Sequence, residues 1–158
     1  MESSSHGVAV SVTILLAVIL SLMPLSGEWI VWKPNFLLLV VLAWVLRWPD
    51  EFGVFFAAAV GLLADIVLRT AIGHSIFIFA LCGSIVILVG RWTKYLSPLQ
   101  RMLLVAMILG LAGLLEASVY MFYERPSGIE QLPMKMVLSM LAWPFIERLV
   151  IRFTPRRG

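Results

Sequence analysis

The sequence predicts an all-α integral membrane protein with six transmembrane helices in a single domain, residues 1–158. Three observations predict this class. Hydrophobic residues make up 61% of the 158 residues and charged residues only 13%, whereas soluble domains are roughly one-quarter charged. The mean hydropathy is +1.01. The charged side chains form short islands between long apolar runs, which is typical of a chain that crosses a bilayer several times.

The stretches between the apolar runs are too short to fold by themselves. The longest are residues 91–101 and 124–135, and segments of that size do not form soluble domains. The sequence therefore predicts no nucleotide-binding, protease or synthase domain outside the membrane. The single cysteine, Cys82, lies inside an apolar run, which excludes an intrachain disulfide and a cysteine zinc cluster.

The first predicted span covers residues 7–27, which contain no charged side chain. A helix of that length crosses the roughly 30 Å hydrocarbon core of a bilayer. A cleaved signal peptide is the alternative interpretation. A retained helix is favoured because residues 1–6 hold no Lys or Arg and no small-x-small cleavage site precedes Glu28.

The second predicted span covers residues 30–47, and its apolar run is short. Trp29 and Trp32 before it and Trp48 after it suit the membrane interface. Pro34 suits a first helical turn, where its missing N–H costs nothing. Whether this span crosses the membrane completely stays open. A tight turn over residues 48–51 then leads into the third span, residues 52–68.

The remaining predicted spans cover residues 70–90, 102–123 and 134–151. The sixth is interrupted by Pro144, so its last part is predicted to be kinked or interfacial. It ends in a basic tail, for which contact with anionic lipid is the simplest interpretation.

The distribution of basic residues predicts that both termini are cytoplasmic. With six spans, the cytoplasmic side holds eight Lys and Arg residues and the other side holds four, in agreement with the positive-inside rule. The eight are Arg47, Arg91, Lys94, Arg101, Arg148, Arg152, Arg156 and Arg157, and the four are Lys33, Arg69, Arg125 and Lys135. The net charge of +3 therefore indicates membrane orientation rather than nucleic-acid binding.

Small residues and a carboxylate recur along one strip of the third span. Gly53, Ala57, Gly61 and Asp65 are spaced every four residues, so neighbouring backbones can approach this side of the helix closely. Arg69 follows Asp65 at the next position of the series, which allows an ion pair on one helix. The alternative is that Asp65 anchors a partner or an ion, because charge inside a membrane often marks function.

Two further titratable groups lie in predicted spans. Glu116 in the fifth span has no basic residue three or four positions away. Hydrogen bonding to a neighbouring helix is favoured there, and a proton site is the alternative. His74 opens the fourth span and could titrate near neutral pH, although a lone interfacial histidine commonly has no such role.

The motifs of common catalytic sites are absent from the sequence. It contains no zinc-binding H-E-x-x-H, no phosphate-binding G-x-x-x-x-G-K-[ST] and no nucleophile turn G-x-S-x-G. The serines within apolar runs have no histidine nearby in sequence. We therefore predict that the protein is not an enzyme and binds neither a metal nor a cofactor.

Three motifs resemble those of one family. They are Lys33-Pro34-Asn35 at the opening of the second span, the segment 61–66 containing Asp65 with Gly73 eight residues after it, and Trp143-Pro144 before the basic tail. This pattern resembles the rod-shape-determining protein MreD family, and length and span order agree over essentially the whole chain. That family usually has a small residue, often glycine, four positions after the aspartate, where this chain has Arg69.

The resemblance implies a non-enzymatic component of the bacterial cell-elongation machinery in the inner membrane. The implied partners are an MreC-type bitopic protein and, indirectly, the actin-like MreB and the peptidoglycan glycosyltransferase and transpeptidase pair. The implied fold is similar to the substrate-binding subunits of energy-coupling-factor transporters. The alternative function is therefore a small-molecule-binding subunit of a membrane transporter, although Asp65, Glu116, His74 and Arg69 are few and lie far apart in sequence for such a site.

Overall fold

A computed structural model describes residues 2–24, 26–27, 33–93, 95–122 and 129–153 of the chain. Within these ranges there are six α-helices, a 3₁₀ turn at Ile129–Gln131 and no strand. The helices are α1 Glu2–Leu22, α2 Phe36–Arg47, α3 Val54–Leu68, α4 His74–Thr93, α5 Pro98–Phe122 and α6 Leu132–Phe153. The predicted all-α class is confirmed. Trp29 and Trp32, which we predicted to be interfacial, lie outside the described residues.

The helix bounds differ most from the predicted spans at the start of the chain. Helix α1 ends at Leu22 rather than at residue 27. Helix α2 begins only at Phe36, because the side chain of Asn35 caps it by accepting a hydrogen bond from the backbone N–H of Leu38 at 3.2 Å. Pro34 therefore precedes the cap and does not lie in the first helical turn.

One of the described helices, α5, is long and apolar enough to cross a bilayer by itself. The apolar portions of α1 to α4 are shorter, at 10–17 residues each. Helix α2, with 12 residues, extends about 18 Å and is shorter than the roughly 30 Å hydrocarbon core. The six-span topology therefore stays a prediction.

Helix α2 forms the centre of the bundle. Its residues from Leu37 to Val45 are all buried, as expected for a helix that is apolar on every side. It packs against α1, α3, α4 and α6. The indole Nε1 of Trp44 donates a hydrogen bond to the hydroxyl of Thr13 on α1 at 2.9 Å, and both side chains are fully buried.

Large apolar side chains cover the outside of the bundle. Phe55 is 92% exposed, Phe145 78% and Met107 74%, on three different helices. Soluble monomers rarely expose contiguous apolar surface on this scale. An apolar exterior around an apolar core indicates that lipid surrounds the helices.

The helices from α2 to α6 alternate in direction, which gives the bundle two ends. Arg47, Arg101 and Glu147 line one cavity, and we name this side the Arg101 end. Asn35 and His74 line another cavity, together with residues at the start of α6. We name that side the His74 end.

Candidate helix-packing site

The small-residue strip of α3 packs against α4 of the same chain. Ala57 and Asp65 on this strip are 0% and 1% exposed. A Cβ atom added at Gly61 would lie 2.7 Å from the backbone oxygen of Ser75 and 2.8 Å from the Cα of Ile76. The first turn of α4 therefore fills the groove at Gly61, and another helix cannot occupy it.

A second close contact lies farther along the α3–α4 hairpin. A Cβ atom added at Gly83 on α4 would lie 2.8 Å from the Cβ of Ala57. Each helix thus contributes one glycine that lets the two approach closely. The strip in α3 was visible in the sequence, whereas Gly83 was missed because the residues four positions before and after it, Phe79 and Ile87, are bulky. Gly53, the first member of the strip, precedes α3 and has open space around it.

The carboxylate of Asp65 organises the turn between α3 and α4. Oδ1 accepts hydrogen bonds from the hydroxyl of Thr70 at 2.7 Å and from the backbone N–H of Ser75 at 2.9 Å. Oδ2 accepts one from the backbone N–H of Gly73 at 2.8 Å. Three donors to a buried carboxylate satisfy its hydrogen-bonding capacity well. Asp65 therefore closes the hairpin and supports the start of α4.

Gly73 supplies a backbone conformation that this turn requires. Its φ is +105°, a region that side chains with a Cβ atom rarely adopt. That conformation places its N–H on Asp65 one residue before α4 begins. The spacing of eight residues between the aspartate and the glycine thus has a direct structural reason.

Arg69 does not pair with Asp65, which corrects the predicted ion pair. Arg69 is the residue that ends α3, in the left-handed conformation with φ 53° and ψ 38°. Its side chain is exposed, and the acceptors of Asp65 are used by Thr70, Gly73 and Ser75. The small residue that the resembling family often has at this position suits the same backbone conformation, since glycine adopts it without strain.

Glu116 and His74 meet at the His74 end of the bundle, together with Lys135. They line a cavity of about 60 Å³. The rings of His74 and Tyr120 lie 5.6 Å apart, and the Tyr120 hydroxyl is 3.5 Å from the Glu116 carboxylate, at the limit for donation. We predicted that Glu116 forms a hydrogen bond to a neighbouring helix. Among the described residues its partner is instead Tyr120, which lies on α5 as Glu116 does.

The glycines of α5 bring it close to α6 in the same region. A Cβ atom added at Gly110 would lie 2.9 Å from the terminal methyl of Met136, and one added at Gly113 would overlap the side chain of Leu132. Glu116 lies one turn beyond Gly113 and is half-buried. This second close pair of helices encloses the small polar cavity and leaves little space inside it.

The last motif lies within α6. Trp143 is 3% exposed and belongs to the apolar core. Helix α6 continues through Pro144 to Phe153, so the predicted interruption does not end the helix. Among the residues that the structure describes, no three His, Cys, Asp or Glu side chains group as metal ligands would.

The motif residues thus have specific positions: Asn35 caps α2, Asp65 and Gly73 build the α3–α4 turn, and Trp143 is buried in α6. The family described as the rod shape-determining protein MreD matches residues 1–153 of the 158-residue chain. The chain belongs to the MreD family. It is therefore a bacterial membrane protein with a role in determining rod shape.

Membership of the MreD family confirms the resemblance noted in the sequence. The family is associated with the MreB and MreC shape-determining system. It is a structural family and is not known for enzymes. No solved structure matches the chain.

Proposed function

We propose that this MreD-family protein is a membrane scaffold of the cell-elongation machinery. In this role it contacts the transmembrane helix of an MreC-type protein and thereby organises lateral peptidoglycan synthesis. MreB and the glycosyltransferase and transpeptidase pair are engaged indirectly. The family match over residues 1–153 carries the proposal, and the closely packed helices with an apolar exterior support it.

The packing of α3 on α4 supports a structural role for the candidate residues. Because α4 fills the groove at Gly61, the buried members of the strip stabilise the protein itself. An MreC-type helix must then contact the outer faces of the bundle, where apolar side chains are exposed. The position of these outer faces depends on how closely α3 and α4 pack, so the hairpin affects the contact with the MreC-type helix indirectly.

The predicted polar groups give little support to the alternative, a small-molecule-binding transport subunit. Its predicted polar groups would have to converge on a ligand, yet Asp65 is occupied by three internal donors. Glu116 and His74 share a cavity of about 60 Å³, whereas sites for small organic ligands occupy roughly 300–1,000 Å³. We keep the similarity in fold to the substrate-binding subunits of energy-coupling-factor transporters as a proposal, which rests on the sequence resemblance alone and does not imply transport.

We further propose six spans with both termini in the cytoplasm. The described basic residues support this topology: Arg47, Arg101, Arg148 and Arg152 belong to the Arg101 end, and Lys33, Arg69 and Lys135 to the other end. Reporter fusions after Gly158 and within residues 91–101 should both indicate the cytoplasm, and a fusion at Gly128 should indicate the outside. If the Gly128 and Gly158 fusions report the same side, the six-span proposal is wrong.

Purification from native membranes tests the scaffold proposal. The tagged full-length chain, extracted in mild detergent, should retain a protein with one transmembrane helix of the MreC type, identified by mass spectrometry. Membranes carrying the untagged chain are the control. Rounding of rod-shaped cells on depletion is the accompanying phenotype. Co-purification with an ATPase module in place of the MreC-type protein would overturn the scaffold and favour the transporter.

A further inference from the structure

A cavity of about 520 Å³ lies at the Arg101 end of the bundle, opposite the Asp65 turn. It forms where the turn between α2 and α3 meets the end of α4, the start of α5 and the last turns of α6. Its lining includes Arg47, Asp50, Arg101, Trp143 and Glu147. This volume falls within the range of sites that hold small organic ligands, roughly 300–1,000 Å³.

Two side chains that line this cavity each have a buried N–H group with no hydrogen-bond acceptor among the described residues. Trp143 is 3% exposed, and its indole Nε1 has no partner among the described residues. The same is true of Nε of Arg101, although Nη1 of that guanidinium donates to the Glu147 carboxylate at 3.2 Å. Indole and guanidinium N–H groups can only donate. An occupant that satisfies them must bring an acceptor, and beside an arginine a phosphate oxygen suits this role best.

The other lining groups restrict the occupant further. Asp50 and Glu147 contribute carboxylates that can bind a cation, and Leu46 and Ile151 contribute apolar surface. The Arg47 guanidinium lies 5.6 Å from the centre of the Trp48 ring, so a second cation is held at the same end. A ligand with a phosphate, an ammonium group and an apolar portion would match all three kinds of surface.

The position of the cavity favours a lipid as the source of that ligand. Ile151, one turn after Glu147 on α6, lines the cavity and is also 44% exposed on the apolar exterior. The cavity wall and the lipid-facing surface are thus adjacent on one helix, at the end of the bundle where the helices terminate. A phospholipid could place its headgroup in the cavity while its acyl chains stay along the exterior.

We propose that this cavity binds a phosphoethanolamine phospholipid headgroup. The phosphate accepts hydrogen bonds from Nε1 of Trp143 and from the Arg101 guanidinium, and the ammonium lies beside Asp50 and Glu147. This inference does not depend on the scaffold proposal, because it concerns the lipid around the protein and not its protein partners.

Lipid titration of the purified full-length protein tests the site. The protein is delipidated in detergent and titrated with phosphatidylethanolamine, phosphatidylcholine or phosphatidylglycerol, with native mass spectrometry and thermal unfolding as readouts. Phosphatidylethanolamine should bind saturably and raise the unfolding temperature. The other two should bind at least about tenfold more weakly, because one has a methylated ammonium that cannot donate to carboxylates and the other has none.

Trp143→Phe removes the indole donor while keeping an aromatic ring. Binding of phosphatidylethanolamine should weaken about tenfold, as expected for loss of one hydrogen bond to a charged acceptor. Without lipid, this variant should unfold at a somewhat lower temperature than the wild type, because phenylalanine fills less of the core than the buried indole; the rise in unfolding temperature that phosphatidylethanolamine causes is therefore compared within each variant. Trp92→Phe is the matched control and should change neither value, since Trp92 is 73% exposed.

Asp50→Asn provides a second variant in an exposed turn, in case Trp143→Phe fails to fold. It should reduce the preference for phosphatidylethanolamine over phosphatidylcholine. The proposal is overturned if both variants keep the wild-type lipid response, or if the three lipids bind equally. Saturation by soluble phosphoethanolamine at the same concentration as the lipid would also overturn the lipid assignment.

Discussion

Replacing Gly61 with leucine should remove most of the folded protein from the membrane. The Cβ atom alone would lie 2.7 Å from the backbone oxygen of Ser75 and 2.8 Å from the Cα of Ile76. Backbone atoms cannot move aside as a flexible side chain can, so α3 and α4 must separate. Overpacking of this kind costs typically 1–3 kcal/mol and occasionally more. We expect Gly61→Ala to lower the free energy of unfolding by an amount near the upper end of this range, and Gly61→Leu to lower it further. Membrane abundance and unfolding temperature measure both effects.

Gly90→Ala is the matched control, because Gly90 also lies within a helix of the same hairpin but has open space where a Cβ atom would be placed. Alanine there should leave abundance unchanged and raise stability by about 0.5–1 kcal/mol, since glycine disfavours a helix interior. Wild-type abundance and unfolding temperature for Gly61→Leu would show that α4 does not approach α3 as closely as described.

The sequence predicted the kind of contact made by α3 but not the element that makes it. The spacing of Gly53, Ala57, Gly61 and Asp65 predicts a face for close backbone approach. It is equally compatible with a helix of the same chain and with one from a partner. The choice depends on where α4 packs, and the isolated Gly83 is a weak sequence signal for that packing. The helix class and order followed more directly, because the apolar runs are long and the turns are marked by Pro, Gly and charge.

The spacing of residues in the sequence indicated a wrong partner for Asp65 and could not predict which residues line the polar cavities. A residue four positions later lies on the same helix face only while the helix continues, and α3 ends at Arg69 in a left-handed conformation. Glu116 and His74 come together through tertiary packing between residues far apart in sequence. The indole N–H of Trp143, which has no acceptor among the described residues, has no sequence signature, because whether a donor finds an acceptor depends on the packing around it.

Replacing Asp65 with asparagine should destabilise the protein even though size is preserved. The amide oxygen can still accept the bonds from Thr70 and Ser75, which share Oδ1. The amide nitrogen would then replace Oδ2 and direct its own hydrogens at the backbone N–H of Gly73. An unsatisfied buried donor costs about 1–3 kcal/mol, and Asp65→Ala should cost more because it removes all three acceptor contacts. Thermal unfolding of the purified variants measures both.

Arg69→Gly separates this explanation from an ion pair between Arg69 and Asp65. If the aspartate served to balance the arginine, removing either charge should destabilise the protein to a similar extent. In the structure, Arg69 is exposed and has a φ of 53°, a conformation that costs residues with a Cβ atom about 1–2 kcal/mol relative to glycine. Arg69→Gly should therefore leave stability unchanged or increase it by up to about 1 kcal/mol, opposite in sign to Asp65→Asn. Equal losses from the two variants would contradict the hydrogen-bonded turn and restore the ion pair.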